Sequence, residues 1–263
     1  MSNLSSVLRR GEMRSPTERA VLVLQVGAAL CYIGHGAFGI ITRPAWIRYF
    51  AVAGIGEAMA YRLMPLIGVV DVAFGLLILL RPRRALLAWM ILWALWTAVL
   101  RPLAGEPAWE ALERAGNYGV PAALLVLSMS SWRGRDVVRS ARGLLVITVA
   151  LLLVGHGALS IGEKPLILSN FASVTGASAA SAVAVVAGVL EIAAAAAVLV
   201  RPSPTLLAGV AAWKLLTELL FITAGAPVWE LVERSGSFAA PIALALLLAD
   251  RSRQPVTSPE VLA

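Results

Sequence analysis

Six ionisable side chains interrupt otherwise apolar runs, and they are the groups best placed to do chemistry: His35, Asp71, His156, Glu191, Lys214 and Glu218. Charged groups inside membrane-length apolar segments are costly, and they mark ligand, ion or proton sites. Asp71 and Glu191 each precede an Arg-Pro pair by ten residues. On a helix rising about 1.5 Å per residue, both then lie about 15 Å along the segment. Lys214, ten residues after Pro204, is expected at the same level. His35, His156 and Glu218 fall about one turn further on. Lys214 and Glu218 are also i,i+4 neighbours on one helix face.

A buried charge needs a partner, and His156, Glu191, Lys214 and Glu218 can partner one another. Ala94 and Ala98 stand in the first half of the chain where Lys214 and Glu218 stand in the second. The richer polar site is therefore expected in the second half, with His35 and Asp71 as a second or vestigial one. The competing reading is structural, because a His–carboxylate pair joining two helices also serves as interhelical glue. The glycines flanking each His, and the alanine run 193–197, would let neighbouring helices approach closely.

Other chemistries fit less well. A catalytic metal usually takes three protein ligands; only His156 with Glu191 and Glu218 could offer them, and no metal site is expected. The two histidines lie in separate halves, which disfavours bis-histidine haem. Cys31 is the single cysteine, so no intramolecular disulfide and no cysteine metal cluster can form. No Ser–His–Asp order, phosphate-cradling loop or nucleotide fingerprint occurs in a workable context.

The segments carrying these residues set the class. With 59% hydrophobic and 14% charged residues, the chain lies far from the balance of a soluble domain. Apolar runs near the roughly 20 residues that span a bilayer fall at about 20–41, 64–80, 84–103, 118–131, 142–161, 178–200, 204–222 and 236–249, the fourth and eighth being short. The expectation is an all-α polytopic membrane protein of about eight spans. Fourteen Lys and Arg fall on one side of these spans and seven on the other. That positive-inside asymmetry puts both termini in the cytoplasm. It also accounts for the net charge of +7 as a topology signal, which argues against a nucleic-acid partner. The first apolar run is too long for a signal-peptide core, and no cleaved leader is expected.

The chain also repeats itself at a shift of 120 or 121 residues. Gly34-His35-Gly36-Ala37 returns as Gly155-His156-Gly157-Ala158, and Arg81-Pro82 as Arg201-Pro202. Pro107-Ala-Trp-Glu-Ala-Leu-Glu-Arg114 returns as Pro227-Val-Trp-Glu-Leu-Val-Glu-Arg234. Four spans per copy is an even number, so the copies are expected to be parallel four-helix units. The organisation expected is a segment 1–19, a first repeat 20–131, a linker 132–141, a second repeat 142–249 and a tail 250–263. Each Pro-x-Trp-Glu segment is expected to form a short interfacial helix anchored by its Trp, ended by Gly116 or Gly236.

The repeating unit resembles the DoxX-like family of four-helix bacterial membrane proteins. The likeness rests on Gly34-His35-Gly36, the Trp46–Phe50 segment, Gly68-Val-Val-Asp71 running to Arg81-Pro82, and Asn117-Tyr-Gly-Val-Pro121. The resemblance implies a bacterial-type inner membrane location and a carboxylate on the second helix, here Asp71 and Glu191. It also implies roles around quinone-linked oxidation, accessory support of redox enzymes or binding of hydrophobic ligands. The tandem duplication departs from the family's usual single unit.

Together these readings favour a non-enzymatic or accessory module, embedded in the lipid bilayer, that holds a quinone or lipid near His156, Glu191, Lys214 and Glu218, in possible support of a membrane redox partner. Proton-coupled transport is the first alternative, since repeats with mid-span charges suit carriers. A quinone-linked oxidoreductase subunit is the second.

Overall fold

The computed structural model describes residues 15–129 and 135–251. The described residues are all-helical, without strands. The helices are α1 (Pro16–Ile40), α2 (Ile47–Val52), α3 (Glu57–Leu80), α4 (Arg84–Leu103), α5 (Trp109–Glu113) and α6 (Ala115–Leu127). There follow α7 (Arg135–Ile161), α8 (Pro165–Thr175), α9 (Ala177–Val200), α10 (Pro204–Thr223), α11 (Trp229–Glu233) and α12 (Gly236–Arg251). A 3₁₀ turn, Pro44–Trp46, leads into α2.

Local sequence explains the boundaries. Ser15 caps α1: its Oγ accepts from the Glu18 amide at 3.2 Å, and the Glu18 carboxylate accepts from the Ser15 amide at 2.8 Å. Pro16 fits the first turn, where no amide donor is needed. This capping box starts the first span four residues earlier than its apolar run suggests. At the other end of the unit, α3 and α9 stop at Arg81-Pro82 and Arg201-Pro202, because the residue before proline disfavours the helical region.

Among the described residues, six helices are long and apolar enough to cross a membrane: α1, α3, α4, α7, α9 and α10. The expected fourth and eighth spans are the shorter apolar helices α6 and α12. Of the expected linker 132–141, residues 135–141 already belong to α7, and 132–134 lie outside the described residues. Most of the segments 1–19 and 250–263 also lie outside them. The outward faces of the long helices are apolar. Leu66, Leu92 and Leu216 are each at least 60% exposed, a pattern that needs lipid around it. The chain is a multi-pass membrane protein.

Packing crosses between the two halves. Helix α1 packs on α3 of its own half, but also on α11 and α12 of the other; α7 packs on α9, and also on α5 and α6. A central core joins Leu24 and Ala28 of α1, Val120 and Leu124 of α6, Leu145 and Val149 of α7, and Ala240 and Leu244 of α12. Glycine makes the closest crossings possible. A Cβ on Gly116 would stand 2.6 Å from the Gly236 carbonyl carbon, where α6 meets α12. A Cβ on Gly36 would stand 2.5 Å from the Gly68 carbonyl oxygen, where α1 meets α3. By contrast the backbones of α3 and α4 come close at few points, as do those of α9 and α10.

Candidate functional site

Each Gly-His-Gly motif serves three neighbours. Its first glycine lies under the opposite half: a Cβ on Gly34 would collide with the Glu233 backbone, and one on Gly155 with that of Glu113. Its second glycine admits the α3 or α9 backbone of its own half. The histidine between them faces the carboxylate on that helix. His35 Nδ1 lies 2.8 Å from Asp71 Oδ2, and His156 Nδ1 lies 2.5 Å from Glu191 Oε2. Both carboxylates are buried.

The second half gathers all four of its expected residues. Glu191 Oε1 accepts from Trp213 Nε1 at 2.8 Å and lies 3.6 Å from Lys214 Nζ. Lys214 Nζ is 3.4 Å from Glu218 Oε1, and Glu218 Oε2 is 3.6 Å from Arg234 Nε. Lys214 is fully buried, and Glu191 and Glu218 are nearly so. The cluster is turned inward on itself, with its charges balancing one another.

The first half is different. His35 stacks on Trp46, with ring centroids 4.6 Å apart. It lines a cavity of about 250 Å³ between α1, α3 and α4, roofed by the 3₁₀ turn and α2. The walls are Trp46, Tyr49, Phe50, Met64, Ile67, Trp93 and Trp96, with Arg101, Arg114 and Glu233 at one end. Ala94 and Ala98 are themselves buried and stand where Lys214 and Glu218 stand in the other half; neither lines this cavity. Sequence reasoning missed these aromatic walls. The signal was there: Trp46, Tyr49 and Trp96 have Ile167, Asn170 and Leu216 as their repeat counterparts.

A second network, also unforeseen, closes the end of the bundle away from the chain termini. Arg114 donates to Glu233 at 3.0 Å, and Arg234 pairs reciprocally with Glu113. Arg43 pairs with Glu230 and its repeat counterpart Lys164 with Glu110, each at 2.5 Å. Among the described residues, four ion pairs therefore cross between the two halves of the chain. The short helices α5 and α11 do expose a face, Trp109 being 45% exposed, but Glu110, Glu113, Glu230 and Glu233 point inward.

Burial alone would raise the carboxyls of Glu113 and Glu233, yet their arginine partners outweigh it and hold both below the ordinary carboxylate range. The same carboxylates overcome burial at Arg114 and Arg234, which are held more firmly protonated. Glu106 is likewise lowered: burial opposes, while Tyr49 and Arg101 prevail. Burial pushes the Tyr49 hydroxyl up to about 12.

Fold and site thus define a helical multi-pass membrane protein with His–carboxylate pairs inside its bundle. Residues 18–108, from α1 to the approach to α5, match the model of the DoxX-like family, in agreement with the motif resemblance in the first copy. No curated protein and no solved structure matches the chain.

Proposed function

We propose that the protein is a binding module that takes a small hydrophobic ligand, a quinone or a lipid chain, into the cavity beside His35. The supporting observation is that cavity: an aromatic, largely apolar chamber with a few convergent polar groups, which is how ligand sites are built. Access from the bilayer is provided where the backbones of α3 and α4 come close at few points. His35, held by Asp71, offers a hydrogen-bonding group to a ligand carbonyl or hydroxyl. In this reading the second-copy residues His156, Glu191, Lys214 and Glu218 are a fixed polar frame, and the ligand sits in the first copy in spite of the second copy's greater number of polar groups.

The topology completes the reading. The two copies are parallel four-helix units, with α6 and α12 as short fourth and eighth spans. Both termini face the cytoplasm of a bacterial-type inner membrane, as the positive-inside charge pattern supports.

The test is mass spectrometry of small molecules co-purified with the wild type, with Thr97→Trp and with Glu191→Ala. Thr97 borders the cavity, so a bulky side chain there fills it. A hydrophobic molecule enriched in the wild type, lost in Thr97→Trp and kept in Glu191→Ala supports the site. Equal recovery from wild type and Thr97→Trp removes it.

A second reading, proton-coupled transport, is favoured by one feature. His156, Glu191, Lys214, Glu218, Arg234, Glu230 and Arg43 follow one another at no more than 3.6 Å, from mid-span to the far end. Proteoliposome flux unchanged by Glu191→Gln would count against it.

A further inference from the structure

A second cavity, of about 610 Å³, opens at the far end of the bundle between the halves. Its lining carries four cations, Arg43, Arg48, Arg101 and Lys164, against two carboxylates, Glu106 and Glu110. Even with Glu230 set against Arg43, positive charge remains in excess. Helix α8 begins at the rim, with Pro165 in the lining, and its N-terminal dipole adds to that potential. This cavity shares Trp46, Tyr49 and Arg101 with the aromatic cavity beside His35. Arg101 belongs to both: its guanidinium donates to the Tyr49 hydroxyl at 2.9 Å and lies 5.1 Å over the Tyr49 ring.

We propose that the two cavities form one bipartite site for a single-chain anionic amphiphile. Its carboxylate or phosphate head lies among Arg43, Arg48, Arg101 and Lys164, and its chain passes Trp46 and Tyr49 into the aromatic chamber. The inference rests on the binding function proposed above and adds the ligand's charge and shape. Volume selects one chain: about 250 Å³ is below what a drug-sized ligand fills, and the two cavities together fall within the usual range of about 300–1,000 Å³. Arginine selects the head, because its planar fork matches carboxylate and phosphate oxygens. The second copy supplies an internal control. Arg101, Tyr49 and Glu106 have Phe221, Asn170 and Ala226 as counterparts, so that polar set is absent from the second half. The apolar cavity of about 280 Å³ beside Trp213 in that half has no such cationic end.

The experiment uses the full chain in nanodiscs of zwitterionic lipid and reads quenching of tryptophan fluorescence by a terminal bromine. The probes are brominated dodecyl phosphate and brominated dodecanol, with inorganic phosphate as competitor. The phosphate ester should saturate at a concentration about tenfold or more below the alcohol, the scale of one charge-assisted contact. Arg48→Gln and Lys164→Gln should each erode that preference and leave the alcohol's quenching unchanged. Arg48 is half-exposed, so its variant tests the head without disturbing the fold. Trp96→Phe should reduce the depth of quenching. Equal affinity for ester and alcohol overturns the anionic head but leaves the aromatic cavity standing. Competition by inorganic phosphate at the ester's own concentration overturns the bipartite site in favour of an independent anion pocket. Quenching by neither probe sinks both this inference and the cavity reading.

Discussion

Replacing Glu233 with Gln should unfold the protein far more readily than replacing its repeat counterpart Glu113, although both are buried and both face an arginine. Arg114 is 10% exposed and, among the described residues, is paired with no carboxylate but Glu233. Glu233→Gln therefore strands a buried guanidinium. Breaking a buried pair from one side costs about 3–5 kcal/mol. At about 2–4 °C per kcal/mol for a chain of this size, the midpoint should fall by roughly 6–20 °C. Arg234 is better insured: without Glu113 it still has Glu230 at 3.5 Å and Glu218 at 3.6 Å. Glu113→Gln then costs about one charge-assisted hydrogen bond, roughly 1.5–3 kcal/mol. Thermal unfolding of both variants in the same detergent, followed by loss of the monodisperse gel-filtration peak, measures the difference. The double variant Glu233→Gln with Arg114→Gln should recover most of the loss, since no charge remains stranded. If Glu113→Gln proves as damaging as Glu233→Gln, or the double variant is no better than the single, partner redundancy does not govern this network.

Acid should loosen the same end of the bundle. Glu106, Glu113 and Glu233 have folded-state values below the ordinary carboxylate value of about 4.3. Their stabilisation is complete above that value and lost as pH falls through the lower folded values. Thermal midpoints should be flat from neutral pH down to about pH 5 and fall below it; a steep fall already at pH 6 would contradict this. Lys214→Ala alone should destabilise strongly, leaving Glu218 with Arg234 only, whereas Lys214→Ala with Glu218→Ala removes both members of the pair and should be milder. A double variant that unfolds as readily as Lys214→Ala alone would speak against this pairing account. Gly36→Leu should prevent α1 and α3 from closing, giving loss of folded protein in a fluorescence-detected gel-filtration trace; wild-type behaviour would show that the close approach is dispensable.

Much of this arrangement is legible in the sequence because it depends on spacing. Asp71 and Glu191 stand ten residues before an Arg-Pro stop, and a straight helix converts that number into depth, so their meeting with His35 and His156 follows from counting. The i,i+4 relation of Lys214 and Glu218 follows in the same way. The inward turn of Glu110, Glu113, Glu230 and Glu233 does not, because a five-residue helix is too short for its periodicity to say which face is covered. The partner that covers α5 is α7, and the partner that covers α11 is α1, both from the opposite half, and no local pattern encodes a crossing between halves. The cavity was hidden for another reason: a void is a difference between side-chain volumes on three helices, and no single residue among those lining it announces one.

The two halves share a frame and differ in what fills it, and the energetics explain why the difference takes this form. Burying Lys214 requires Glu191 and Glu218 within 3.6 Å, so the lysine and its i,i+4 glutamate have to be gained or lost as a set. Where the set is present, Lys214 lies between two carboxylates and paired charge fills the interior beside Glu191. Where alanines stand instead, His35 needs only Asp71 to be held, and the cavity beside it is walled by aromatic rings. The reciprocal pairs Arg114–Glu233 and Arg234–Glu113 then tie the open half to the locked one. An open cavity lowers packing density and stability in its own half. That cost is offset by the second half, whose buried charge cluster and cross-half ion pairs tie the bundle together.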